Sequence, residues 1–235
     1  MIIGRKYYKF ALQGGFSLIE MMIALTIGLF LLFGLQTIFS SNLQTFIVQK
    51  GVAQLQNNQI MAMNNIGNVV QSAGYAPVTV PLTTTPLGAQ TLVASIASPL
   101  AAAFSPGQAL FGGSLYGSDS IVIRSQSTMN CMGVTSASLS VSTFTVNNGN
   151  LQCSINPDPN GLSPQTLVNG LQSMTLLYGV DPAGTGSATQ YVTAANVTAW
   201  SNVKSVKVTL NFVNPQNLSG PTLPFIRVIG VMNQL

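Results

Sequence analysis

The chain has 235 residues, of which 47% are hydrophobic and only 5% charged, with no histidine and two cysteines. That length suits one helical anchor plus one domain with a real core, and the missing histidine removes the common acid–base and triad chemistries. The formal charge of +4 overstates the basic character: three of the eight basic residues, Arg5, Lys6 and Lys9, precede residue 16, leaving five against four acids in the remainder, too few to neutralise a phosphate track, so no nucleic-acid partner is predicted.

Residues 1–15 form a short basic leader. Behind it, Phe16 to Leu35 carries one charge, Glu20, among Leu, Ile, Met, Phe, Ala, Gly and hydroxyl side chains. As an α-helix this run is ~30 Å long, enough to cross the hydrocarbon of a bilayer. The basic leader without an acid keeps the N-terminus in the cytoplasm and sends the C-terminal bulk outward. Glu20, the sole glutamate of the chain, costs ~2.5–3.5 kcal/mol in an apolar span and so calls for a partner. A cut between Gly15 and Phe16 would supply one, because the new α-amino group lies one helical turn from Glu20, or within reach of a neighbour's Glu20 in a bundle.

Gly14-Gly15-Phe16-Ser17-Leu18-Ile19-Glu20 after a basic leader resembles the class III signal of type IV pilins and of type II secretion pseudopilins. The resemblance implies a peptidase cut after Gly15, N-methylation of Phe16, and Glu20 as the carboxylate that guides subunits into a fibre. The partners implied are the prepilin peptidase, other minor pilins and the major pilin, and an inner-membrane assembly platform. The same resemblance places the chain in the inner membrane before assembly, with its C-terminal domain in the periplasm, and in a pilus at the cell surface afterwards. An ordinary signal anchor explains Glu20 through the helix dipole, but not Gly15-Phe16 directly before it.

Beyond Leu35 the sequence stays helix-compatible without a proline until Pro77. Phe39, Leu43, Phe46, Val52, Leu55, Met63, Ile66 and Val70 recur mostly at three- and four-residue steps. One helix from about Ser17 to about Gln71 is expected, its first half in the membrane and its second against the globular domain, with Gly28, Gly34, Gly51 and Gly67 as soft points. Gly74 and Pro77 punctuate its end. The proline-rich, uncharged stretch 75–118 reads as irregular chain with a helical turn over 100–104.

Strands are expected over 120–126, 139–146, 172–178, 203–213 and 225–232, bounded by Gly, Pro, Asn or Asp. The fourth alternates cleanly: Val206, Val208, Leu210 and Phe212 share one face, and Ser205, Lys207, Thr209 and Asn211 the other. Strands following one long helix predict an α+β, pilin-like fold: 1–15 as a cleaved leader, 16–73 as a long helix spanning the membrane over 16–35, and 74–235 as a mostly β globular domain with an antiparallel sheet packed on the helix. Cys131 and Cys153, in an exported domain, are most simply one disulfide, worth ~3 kcal/mol in the chain-entropy model.

Leu171 to Asp181, ending in Tyr178-Gly179-Val180-Asp181, and the Trp200-led run through Leu210 are similar to the C-terminal half of PilW-type minor pilins, as is Gly117-Ser118-Asp119 before a strand. The final strand departs from the family in reading Val231-Met232-Asn233 where Leu-Arg-Asn is expected. The resemblance implies a non-catalytic minor pilin acting in an initiating or tip complex; the alternatives are a J-like minor pseudopilin of type II secretion and a membrane-anchored adhesin. Asp119, Asp158 and Asp181, the three acids outside the helix, sit beside Ser or Pro and read as turn formers rather than calcium ligands. No metal or cofactor is predicted. Lys204 and Lys207 lie on a regular strand, and no enzyme is expected; Trp200 and Tyr178 read as core or strand-edge aromatics.

Overall fold

A computed structural model describes residues 15–75, 104, 108–126, 129–136, 139–156, 158, 161 and 163–234. Helix α1 runs unbroken over Leu18–Gln71, through Gly28, Gly34, Gly51 and Gly67, as the absence of proline predicts. The chain divides into two units at Gln49 and Lys50. In the first, every large apolar side chain from Leu18 to Val48 is exposed, Phe30 at 81%. From Leu18 to Leu35 no face is polar enough for water, the pattern of a helix whose solvent is lipid or other helices.

Among the described residues, the second unit holds the remainder of α1 and nine strands. Their ranges are β1 Leu110–Leu115, β2 Ser118–Gln126, β3 Leu139–Asn147, β4 Asn150–Asn156, β5 Gln165–Asn169, β6 Leu171–Val180, β7 Gln190–Val192, β8 Val203–Phe212 and β9 Leu223–Gly230. They form two antiparallel sheets rather than one: β1-β2-β3-β4-β5 as a meander, and β7-β6-β8-β9. Four of the strands, β1, β4, β5 and β7, arise where no strand is expected, and β1 corrects the irregular assignment of 75–118. The leader through Gly14 and the helical turn over 100–104, apart from Phe104, fall outside the described residues.

The core forms where α1 meets both sheets. Ala62, Met63, Ile66, Val69, Val70 and Ala73 are buried against Ile121, Ile123, Phe144, Leu151, Met174, Leu176, Val206, Val208 and Leu210. Their spacing of one, three and four keeps one helical stripe inward. Of the residues expected on that stripe, Met63, Ile66 and Val70 are buried and Leu55 half-buried, but Phe39, Leu43 and Phe46 are exposed. Burial begins only in the last three turns. Gly74 ends the helix with φ +76°, a left-handed conformation that favours glycine, and its N–H donates to the Arg124 carbonyl at 2.9 Å. That bond ties the helix terminus to β2.

Candidate assembly determinants

The first determinant is the start of α1. Gly15, Phe16 and Ser17 precede the helix and are exposed, Phe16 at 87%. The Ser17 carbonyl accepts the N–H groups of Glu20 at 3.0 Å and Met21 at 3.2 Å, so helical geometry starts right behind Phe16. Glu20 falls in the first turn, where unsatisfied amides and the helix dipole favour a negative charge. Its carboxylate is exposed in this chain, so it is available to a group on another molecule.

The second determinant is the junction of the two sheets at Gly117-Ser118-Asp119. Ser118 Oγ accepts the Met174 N–H at 2.7 Å and donates to the Met174 carbonyl at 3.0 Å. Asp119 Oδ2 accepts the Leu176 N–H at 2.7 Å. β7 covers only Tyr178, Gly179 and Val180 of β6, so the rest of that edge is open to other partners, and these two side chains take Met174 and Leu176 in place of a strand. Asp119 is therefore no turn former; it lies within β2.

Tyr178 stands beside this junction, fully buried and edge-to-face with Trp200 at 4.9 Å between ring centroids and 83°. Its hydroxyl lies against Gly112, where any Cβ would overlap it. Among the described residues the hydroxyl has no hydrogen-bond partner, and burial, helped by the Asp119 charge, pushes its pKa well above the ordinary tyrosine value. Both aromatics belong to the core and its edge, as expected.

Asp181 closes β6. Its carboxylate accepts the Gly186 N–H at 2.6 Å and the Thr185 hydroxyl at 3.1 Å. Backbone hydrogen bonding from Thr185 leads the effects that hold its pKa below the ordinary value, with Gly186, the Thr185 hydroxyl and the Lys204 charge adding and burial opposing. Asp158 Oδ2 accepts the Ser163 N–H at 2.7 Å. Both are loop-shaping acids, and among the described residues no group of three or more metal-ligating side chains is assembled. Arg124 is buried with its guanidinium 4.6 Å from the Phe104 ring centroid, and burial lowers its pKa to about 10, which leaves it charged at neutral pH.

A disulfide joins Cys131 and Cys153, both fully buried, with 6.0 Å between their Cα atoms. It pins the 129–136 turn to the middle of β4. The Cys131 N–H also donates to Ser142 Oγ on β3 at 3.3 Å.

Two stretches of the chain match known families. Residues 11–35 match the prokaryotic N-terminal methylation motif, and residues 138–223, from β3 to the start of β9, match the family model of type IV pilus-assembly protein W, PilW. No curated protein sequence matches the chain. Among solved structures, a type IV-like pilin from Thermus thermophilus aligns with 13% identity over 77% of this chain and 99% of its own, at a TM-score of 0.44. The chain is thus similar to PilW over residues 138–223 and to the N-terminal methylation motif over residues 11–35, on a fold with one long apolar helix and two antiparallel sheets.

Proposed function

We propose that the chain is a minor pilin of a type IV pilus, a non-catalytic subunit of the initiating or tip complex. One observation carries this: a methylation motif over 11–35 and a PilW region over 138–223 lie on the same chain. The prepilin peptidase cuts between Gly15 and Phe16 and methylates the new amino group of Phe16. Before assembly the apolar helix from Phe16 to about Leu35 holds the subunit in the inner membrane, with the sheets in the periplasm, because Arg5, Lys6 and Lys9 stay inside. On assembly that apolar surface leaves lipid for the helices of the major pilin and other minor pilins, and the inner-membrane platform drives the transfer. Glu20 then meets an N-terminal amine, and matching the two buried charges sets the register.

The reading is tested by electron microscopy of sheared surface fibres from a deletion strain, with twitching motility and secreted enzyme levels measured in the same cultures. Loss of pili with normal secretion is expected. Intact pili with exoproteins trapped in the periplasm would move the chain to a type II secretion pseudopilus, and no change in either would leave an anchored adhesin.

A further inference from the structure

Among the described residues, the edge of the second sheet formed by β9 has no strand beside it. At the opposite edge β7 covers the end of β6, and Ser118 and Asp119 take Met174 and Leu176. β9 pairs with β8 along its whole length, Leu223↔Phe212 through Gly230↔Ser205, and is the terminal strand of its sheet.

The direction of its free groups follows from one bond beyond the strand. The Val231 N–H donates to the Lys204 carbonyl at 2.9 Å, in the same register as the ladder. Inward and outward groups alternate along an antiparallel strand, so Leu223, Phe225, Arg227 and Ile229 face β8. Pro224, Ile226, Val228 and Gly230 face outward. Pro224 occupies one of these outward positions, where a missing N–H costs nothing. Ile226 and Val228 then offer two N–H and two C=O groups to whatever lies alongside, and their side chains are 55% and 51% exposed.

We propose that β9 is the acceptor edge for an extended strand of another pilus subunit, one with apolar side chains opposite Ile226 and Val228 and an acidic residue near Lys207 or Arg227. Main-chain pairing supplies the affinity and the alternate side chains the specificity. The charge requirement follows from what the acids already do. Asp119, Asp158 and Asp181 are each held by backbone N–H groups, whereas Lys207 sits opposite Val228 on the outer face and Arg227, exposed on β9, donates from Nη1 only to the neutral amide oxygen of Asn64 at 3.3 Å among the contacts of the described residues. A second copy fits less well: antiparallel self-pairing with Ile226 opposite Val228 would set Arg227 against its own copy, and like charges directly opposite destabilise a sheet. That the donor is a pilus subunit rests on the proposed function; the availability of the edge does not.

The test uses the full chain in cells that make the pilus, with a photo-cross-linking benzoylphenylalanine at Ile226. The expected product joins residue 226 to a strand of another subunit bearing a methylation signal. Val228→Pro, which removes an outward N–H and leaves the β8 ladder whole, is expected to reduce that product about tenfold, the order of one lost hydrogen bond; Val228→Thr, which keeps the N–H, is expected to retain it. Thermal unfolding of the three chains checks that the fold is unchanged. A product within one chain, a product between two copies, no product, or indifference to Val228→Pro overturns the proposal. A strand adduct with a protein that lacks a methylation signal would keep the acceptor edge and remove the pilus subunit as its donor.

Discussion

The Asp119 carboxylate accepts the Leu176 N–H at 2.7 Å, so a side chain of one sheet fills a main-chain position at the edge of the other. Two sheets meeting at such a junction would otherwise leave buried amides unpaired, each costing ~1–3 kcal/mol. Ser118 does the same for both polar groups of Met174. Asp119→Ala is expected to destabilise the chain by ~1–3 kcal/mol and Asp119→Asn by less, because the amide oxygen still accepts the bond. Adding Ser118→Ala to Asp119→Ala should cost less than the sum, since both act on one edge. Urea denaturation of the full chain in detergent measures all three, and equal stability of Asp119→Ala and the parent would remove the junction role.

Gly112 and Tyr178 make a second coupled pair. Tyr178→Phe deletes a buried hydroxyl with no partner among the described residues, so it is expected to be neutral or stabilising by up to ~1 kcal/mol. Gly112→Ala places a methyl where that hydroxyl sits and is expected to cost ~1–3 kcal/mol as an overpacking change. Combining them should recover part of the loss, and strict additivity in a double-mutant cycle would refute the contact.

This pair also explains what the sequence hid. Leu110-Phe-Gly-Gly-Ser-Leu reads as loop because glycine weakens strands, yet Gly112 is there to admit a side chain from β6, some 66 residues later in the chain. β4 and β5 were equally illegible, one rich in Asn and Gln and the other only five residues long. The long helix was legible through its uninterrupted apolar periodicity, and β8 through alternation that its burial matches from Val206 to Phe212, Ser205 being buried although it lies on the polar face. What a single sequence withholds is nonlocal: the division into two sheets and the junction of Ser118 and Asp119 with β6. The helix stripe was legible only where tertiary contacts exist, which is why Phe39, Leu43 and Phe46 were assigned a face they do not bury.

Stability should depend on pH at both ends of the scale. Asp181 has a lowered pKa in the folded chain, so its contribution is complete above the unfolded value of about 3.9 and disappears as pH falls through the folded value. Tyr178 has a raised pKa; the fold favours the neutral phenol, so stability is full below about pH 10 and declines as pH climbs further. Asp181→Asn should flatten the acid limb and Tyr178→Phe the alkaline limb of a plot of melting temperature against pH. A limb that keeps its slope in the matching variant would show that another group titrates there.

On the proposed function, Gly15 and Glu20 separate processing from assembly. If the proposed cut follows Gly15, Gly15→Val should leave an uncut precursor about 15 residues longer on a gel, because a branched side chain replaces the hydrogen beside that bond. Glu20→Ala leaves that bond untouched, so the chain should be cut and N-methylated at Phe16 normally, as mass analysis of its N-terminal peptide would report. Without the carboxylate the membrane span loses its costly charge and inserts more easily, by ~2.5–3.5 kcal/mol on insertion scales, while the amine it should meet on a neighbouring helix loses its countercharge. Better anchoring with absent or sparse fibres is the combination a fibre subunit predicts. Normal fibre numbers in Glu20→Ala would reduce Glu20 to a helix-start acid favoured by the dipole, and normal cutting of Gly15→Val would move the processing site elsewhere.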